Sequence, residues 1–183
     1  MKYLATPLSL LALLAASTTF SQTSLASVPN DLLKKTIIRS TEESQSHKML
    51  HAVVKAADLE ETLDGDGPFT VFAPSDGAFG KMSSDKITEL LRPENKRELQ
   101  SLVTYHIVAG KLTASEILKA MCRGKGSATL TTVQGNELLV TMDGLDIVLT
   151  DCFGNIAKIT SADFNQSNGV IHEIDSVILP NQF

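Results

Sequence analysis

The sequence predicts an α+β domain, because helical periodicity fills the first half of the chain and strand-like segments fill the second half. One amphipathic stripe shows the helical spacing of three and four residues: Leu50, Val53, Val54 and Ala57. The second half carries short runs rich in Val, Ile, Leu and Thr, separated by turn sequences such as "QGNE" and "CFGN". Strands and helices do not alternate along the chain, so the pattern favours α+β over α/β.

The first elements are predicted between residues 31 and 73. Asp31 to Arg39 is a short helix candidate, and the stripe that begins at Leu50 predicts the next helix. The sequence "LDGDGP" ends that helix, because glycine and proline both interrupt helical structure. Phe69 to Ala73, "FTVFA", then predicts a buried strand.

Capping residues mark the helices that follow this strand. Ser75 is placed to cap a helix through "DGAFGKM", and Ser84 is placed to cap a helix through "DKITELL" that Pro93 stops. Thr113 and Glu116 form a capping box that opens a helix running to about residue 121. The predicted strands of the second half are 128–133, 138–142, 146–150, 156–160 and Val170 to Leu179.

The first 26 residues have the features of a secretory signal peptide. Lys2 gives a basic start, and residues 8–16, "LSLLALLAA", form an apolar run shorter than the roughly 18 residues that a membrane span needs. Ser24 to Ala26 predicts cleavage before Ser27, and Thr19 to Ser21 is a weaker competing site. We therefore expect export to the periplasm or the extracellular space, with no transmembrane span in the mature chain.

Composition limits the domain count and the classes of partner. Removal of residues 1–26 from the 183-residue chain leaves 157 residues, 27–183, which is a usual size for one domain. The formal net charge of the whole chain is −5, and Lys and Arg do not cluster. Nucleic acid is therefore not an expected partner.

Cys122 and Cys152 are the two cysteines of the chain. An even pair in an exported protein predicts a disulfide between them, and two buried free thiols are the alternative.

Motifs for metal, calcium, phosphate and nucleophilic chemistry are incomplete. His47 and His51 would share a helix face, but spacing nominates no third ligand. The acidic turn at 64–68 has proline at the third calcium-ligand position, and "CRGKGSAT" departs from the phosphate-loop pattern. A catalytic Ser75 would need His106 or His172 as base, and no Gly-x-Ser-x-Gly sequence surrounds it. We expect no catalytic residue, no metal and no cofactor.

His106 stands beside Tyr105 in an apolar run, "SLVTYHIVAGK". It continues the spacing of Leu99, Leu102 and Val103, so it faces the core if the helix that begins near residue 94 persists this far. If a strand has begun by then, the neighbouring apolar residues still predict burial. We expect a neutral, hydrogen-bonded histidine, because an unpaired buried polar group costs about 1–3 kcal/mol.

Three segments resemble the motifs of the fasciclin (FAS1) domain family in order and spacing. They are "GPFTVFAPSDGAF" (67–79), "LVTYHIVAGKLTASEIL" (102–118) and "NGVIHEIDSVILP" (168–180). The resemblance covers about residues 31–180. It implies the FAS1 fold, a β-wedge or sandwich of mainly antiparallel strands with helices packed around it.

The resemblance also implies a function and a set of binding residues. Family members are secreted or surface-bound, non-enzymatic proteins linked to cell adhesion and matrix contacts, so the expected partner is a cell-surface or matrix protein. Carried over to this sequence, the binding residues are Leu102, Val103, Tyr105, His106, Ile107 and Val108. Of these, we expect Tyr105 to meet the partner and His106 to hold the core. A monomer or weak oligomer is expected. The alternative is a small extracellular ligand-binding protein that uses a groove between the helices and the β-wedge.

Overall fold

The computed structural model describes residues 35–181. The predicted signal peptide and the start of the predicted helix at 31–39 lie outside these residues. The described helices are α1 (Ile37–Glu43), α2 (Lys48–Ala56), α3 (Glu60–Asp64), α4 (Asp76–Phe79), α5 (Ser84–Leu90), α6 (Lys96–Tyr105) and α7 (Ala114–Arg123), with a 3₁₀ turn at Pro93–Asn95. No helix among them is long and apolar enough to cross a membrane.

Seven strands of the described chain form one sheet in the order β2-β1-β7-β6-β5-β4-β3. The strands are β1 (Phe69–Pro74), β2 (Ile107–Ala109), β3 (Ser127–Thr131), β4 (Glu137–Asp143), β5 (Asp146–Thr150), β6 (Ile156–Gln166) and β7 (Gly169–Ile174). Neighbours are antiparallel except β1 and β7, which are parallel. A bridge between Val108 and Thr132 joins the two edge strands, so the sheet curls towards closure. The α+β prediction with mainly antiparallel strands is confirmed.

Two apolar cores lie on opposite faces of the sheet. The first packs α1, α2 and α6 against β1 and β7, and it includes the predicted stripe from Leu50 to Ala57. The second fills the space inside the curled sheet, under α7, and it includes Phe72, Leu138 and Leu149. The strands between the two cores therefore have little solvent on either side.

The first and third motif segments, 67–79 and 168–180, lie side by side because their strands are the parallel pair β1 and β7. Phe69 pairs with Gly169, and the register continues to Pro74 and Ile174. A Cβ on Gly169 would lie 2.0 Å from the Phe69 carbonyl oxygen, so no larger residue fits this junction. Gly67 has φ of +60°, and a Cβ there would lie 2.2 Å from the Asn168 carbonyl oxygen. The glycines of both motifs thus permit the close approach of the two chains.

Two of the three predicted helix caps are confirmed, and one is displaced. The Ser75 hydroxyl accepts from the Ala78 N–H, and Thr113 and Glu116 form the full capping box. The prediction for Ser84 is wrong by one residue. Ser83 is the cap and accepts from the Lys86 N–H, because its extended backbone turns its hydroxyl towards the first turn of α5.

The strand ends differ from the sequence prediction at β6 and β7. β6 runs to Gln166 instead of residue 160, and its pairing with β7 shifts register twice. Asp163 has φ of +64°, a left-handed conformation that aspartate tolerates better than most residues. Its N–H donates to Nδ1 of His172 instead of to a backbone carbonyl of the neighbouring strand. β7 ends at Ile174 instead of Leu179, since the chain beyond it forms bends that cover the core.

The predicted Cys122–Cys152 disulfide is not formed in this structure, in which both cysteines are free and exposed. Cys122 lies on the solvent side of α7, whose buried residues are Ile117 and Met121. Cys152 follows β5, and its thiol donates to the Leu179 carbonyl oxygen at 3.6 Å. The alternative of two buried thiols is not met either, since neither cysteine is buried.

Candidate functional site

The residues predicted to bind a partner are all buried, and they divide between the two cores. Leu102, Val103 and Ile107 belong to the first core, whereas Tyr105 and Val108 belong to the second. His106 is also buried, and it is hydrogen-bonded to Leu102 of the first core and Ile178 of the second. The segment is therefore the point where the end of α6 and the start of β2 join the cores. In this structure it presents no side-chain surface to a partner.

His106 is held by two backbone hydrogen bonds. Its Nδ1–H donates to the Leu102 carbonyl oxygen at 2.8 Å, and its Nε2 accepts from the Ile178 N–H at 3.3 Å. Burial lowers the pKa of His106 to about 4, so the ring is neutral at pH 7. The expectation of a neutral, hydrogen-bonded core histidine agrees with this geometry. The ring links the last turn of α6 to the C-terminal segment.

Tyr105 is not on the surface, so this structure does not support the expectation that it meets a partner. Its side chain is 0% exposed, and its hydroxyl donates to the Glu137 carbonyl oxygen at 3.0 Å. Burial raises the pKa of Tyr105 to about 12. Helical spacing turns Tyr105 away from the first core, but the curled sheet covers this second side as well. Tyr105 therefore supports β4 from inside.

His172 is a second neutral core histidine. Its Nε2–H donates to the Leu112 carbonyl oxygen at 2.7 Å, its Nδ1 accepts from the Asp163 N–H at 3.3 Å, and its ring stacks on Phe72. Burial lowers its pKa. Neither His172 nor His106 offers a free ring nitrogen to Ser75, whose hydroxyl caps α4. The geometry gives no support to a nucleophilic serine at this position.

His47 and His51 do not form the shared helix face that their spacing suggests. His47 lies before α2, as its N-cap, whereas His51 is within the helix. Residues 35–181 contain no group of three or more His, Cys, Asp or Glu side chains that could hold a metal ion.

A row of two large apolar residues and two threonines on the outer face of the sheet was missed at the sequence level. The strand register aligns Thr129, Leu139, Thr150 and Ile156 across β3, β4, β5 and β6, and we call these four residues the outer row. Leu139 is 41% exposed and Ile156 is 56% exposed. Phe153, in the turn from β5 to β6, is 57% exposed. Burial alternates along β4, with Leu138 and Val140 inside and Leu139 outside, but only the register shows that the four outward residues align.

The turn that carries Phe153 is fixed by Asp151. Oδ1 of this buried carboxylate accepts from the N–H groups of Phe153 and Asn155, at 2.9 Å each. Oδ2 accepts from the Asn155 side-chain amide and from the Leu179 N–H. Asp151 therefore holds the turn and the C-terminal segment together, next to the outer row.

A cleft of about 360 Å³ lies between the α1–α2 connection and strands β6 and β7. Its lining includes His47, Glu173, Phe164 and Ile171. Ile171 and Glu173 are two residues apart in β7 and share its helix-facing side, and Phe164 of β6 pairs with Ile171. No sequence motif connects these positions, because they come from three separate elements.

Comparison with known proteins identifies relatives of the whole domain. A model of the fasciclin domain family matches residues 45–180. Protein sll1483 of Synechocystis is 39% identical over 145 residues, which cover 79% of this chain and 73% of that protein. Immunogenic protein MPB70 of Mycobacterium bovis is 33% identical over 122 residues, 67% of this chain and 54% of that protein. Human periostin is 32% identical over 130 residues, 71% of this chain but 14% of periostin.

The fold is similar to that of a solved FAS1 domain pair from the insect cell adhesion molecule fasciclin I. The TM-score is 0.70 at 19% identity, and the match covers 81% of this chain and 52% of that chain. The likeness confirms the predicted FAS1 fold.

Proposed function

The chain belongs to the fasciclin domain family, and on that premise we propose that it is a secreted, non-enzymatic module that binds a protein of the cell surface or extracellular matrix in adhesion. It works in the periplasm or outside the cell after removal of residues 1–26, as a monomer or weak oligomer. The solved relative with this fold comes from a cell adhesion molecule, which supports an adhesive role.

The contact surface in this proposal is the outer row together with Phe153. This choice rests on one observation: Leu139 and Ile156 are exposed in one row across the sheet, and exposed Phe153 lies three residues before Ile156, whereas the Tyr105–His106 segment is buried. Exposed apolar side chains that cluster are typical of protein-binding surfaces, while single ones are ordinary. Aromatic and apolar side chains are enriched at the core of protein–protein interfaces, which suits a partner that is itself a protein.

The Tyr105–His106 segment acts in this proposal as the support of the contact surface. The Tyr105 hydroxyl holds the Glu137 carbonyl, two residues before Leu139 in β4. His106 holds Ile178, next to Leu179, whose N–H binds Asp151 at the base of the Phe153 turn. Substitutions in the segment would therefore displace the outer row and in this way reduce adhesion.

A cell-adhesion assay with matched lysine variants tests the proposal. Ile156→Lys and Leu139→Lys should each reduce attachment of cells to the immobilised protein at least tenfold, without change in melting temperature. Leu118→Lys on α7 is the control, because Leu118 is 40% exposed, much as Leu139 is, but lies away from the outer row. Equal attachment by all three variants would overturn the assignment of this surface.

A second candidate function is the binding of a small extracellular ligand in the groove between the helices and the sheet. The cleft that contains His47 and Glu173 lies in that position and favours this candidate. Its volume of about 360 Å³ is at the lower end of the range of about 300–1,000 Å³ for ligand pockets.

A further inference from the structure

The cleft between the α1–α2 connection and the sheet contains a buried imidazole with an unused nitrogen. His47 is 9% exposed, and its Nδ1 lies 2.8 Å from the Ser44 hydroxyl and 3.3 Å from the Ser46 hydroxyl. Its Nε2 is buried and has no hydrogen-bond partner among the described residues. Since buried polar groups are normally paired, this nitrogen is a position where a ligand atom would be stabilised.

Glu173 faces this nitrogen from β7. Its Oε2 lies 3.5 Å from His47 Nε2, which is too long for a good hydrogen bond, and its Oε1 accepts from the Thr160 hydroxyl at 3.0 Å. A hydroxyl oxygen beside this pair could lie within about 2.8 Å of both. Its O–H would donate to the carboxylate and its oxygen would accept from Nε2–H, because a hydroxyl both donates and accepts. An ammonium group only donates, so it could not accept from Nε2–H.

The charges around the cleft disfavour an anionic ligand. Glu173 lies inside, and Glu43 lies at the mouth, where it pairs with Lys35. The lysine is therefore already neutralised by its neighbour. A neutral ligand suits this arrangement, since it leaves the existing ion pair intact.

An apolar wall completes the cleft. Phe164 is half-exposed, and Ile171, its partner across the strands, is buried beside it. A ligand that fits must thus present hydroxyl groups to His47 and Glu173 and carbon-bound hydrogens to Phe164 and Ile171. A pyranose ring has both kinds of surface, and the volume of about 360 Å³ suits one ring better than a chain of rings.

We propose that this cleft binds a single neutral sugar unit, with a hydroxyl shared by His47 and Glu173 and the ring face on Phe164. The proposal rests on the second candidate function, the binding of a small ligand in the groove. It is independent of the outer row on β3 to β6 and of Phe153 in the turn after β5.

Amide-detected NMR titration of the purified protein with methyl glycosides of D-glucose, D-galactose and D-mannose tests the proposal. At least one glycoside should give saturable shifts at His47, Phe164 and Glu173 at millimolar concentration. Glu173→Gln and Phe164→Ala should each weaken binding at least fivefold. Glu61→Gln is the matched control, since Glu61 is an exposed acid on α3 outside this cleft, and it should bind as the wild type does.

A parallel titration with indole distinguishes failure of the sugar assignment from failure of the small-ligand function. Shifts at the cleft with indole and none with any glycoside would overturn the sugar assignment and leave the small-ligand function standing. No shift at the cleft with either probe would overturn both. Glycoside shifts that persist unchanged in Glu173→Gln and Phe164→Ala would place the binding elsewhere and also overturn the sugar site. Spectra of each variant without ligand show whether it is folded.

Discussion

Replacement of His106 by alanine tests whether this histidine is a structural part of the core. The ring is buried, and its two nitrogens bind the Leu102 carbonyl and the Ile178 N–H. Alanine would remove both bonds and the volume of the ring. We expect the variant to be folded but much less stable than the wild type at pH 7.

The magnitude of the loss follows from these contacts. A buried backbone group left without its partner costs about 1–3 kcal/mol, and here two such groups are affected. The cavity left by the ring adds to this, as in other large-to-small substitutions. We expect the free energy of unfolding to fall by about 3–6 kcal/mol. For a domain of this size, that corresponds to a fall in melting temperature of roughly 10 °C or more.

Urea denaturation and thermal melting at pH 7 measure this loss. His51→Ala is the control, because His51 is only half-buried and its Nδ1 has no hydrogen-bond partner in the described structure. We expect the control to lose less than about 1 kcal/mol. A His106→Ala variant within 1 kcal/mol of the wild type would refute the structural role. So would a variant that keeps full stability but loses adhesion.

Three further predictions concern pH, helix capping and the thiols. His106 alone should lower the free energy of unfolding by about 3 kcal/mol from pH 6.5 to 4, because unfolded His106 takes up a proton near its ordinary pKa of 6.5, whereas burial lowers the folded pKa to about 4. The unfolded state binds more protons than the folded state between pH 6.5 and 4, so stability rises with pH in this range. In urea denaturation, the unfolding free energy of His106→Gln should therefore change less steeply with pH than that of the wild type, by about 1.4 kcal/mol per pH unit. Equal slopes in the two proteins would contradict this. Ser83→Ala should cost about 1 kcal/mol and Ser84→Ala only a few tenths, and the reverse order in denaturation curves would show that the cap is misplaced. Titration of the native protein with a thiol reagent should find both Cys122 and Cys152 reactive, and a count of zero would restore the disulfide.

Local spacing was enough to predict the helical part of the fold. The stripe from Leu50 to Ala57 is buried as predicted, because an amphipathic helix has one apolar side whatever it packs against. The capping box at Thr113 is likewise a property of four consecutive residues. The bulge at Asp163 was not predictable in this way, since it depends on His172, nine residues away and on another strand.

The candidate site shows where one sequence stops being informative. Helical spacing predicted that His106 is buried, but it treated the opposite side of the helix, with Tyr105, as solvent. A second core occupies that side, and it is built by strands that begin more than twenty residues later. The parity of two cysteines predicted a disulfide without information on their separation, and the structure leaves both free.

Strand register and long-range contacts account for the features that the sequence did not reveal. Leu139 and Ile156 belong to one surface only because β4, β5 and β6 pair as they do. The cleft likewise depends on the approach of His47 to Glu173, more than a hundred residues later in the chain. Neither pairing has a signature within a short stretch of sequence.

Side-chain footprinting by hydroxyl radicals tests the central claim, the location of the contact surface, most directly. The protein is labelled free and while it is attached to cells. We predict that attachment protects Leu139, Phe153 and Ile156 and leaves the labelling of Tyr105 low in both states, because Tyr105 is buried throughout. Unchanged labelling of the first three residues, with a change at Tyr105, would contradict the account and return the contact surface to the Tyr105–His106 segment.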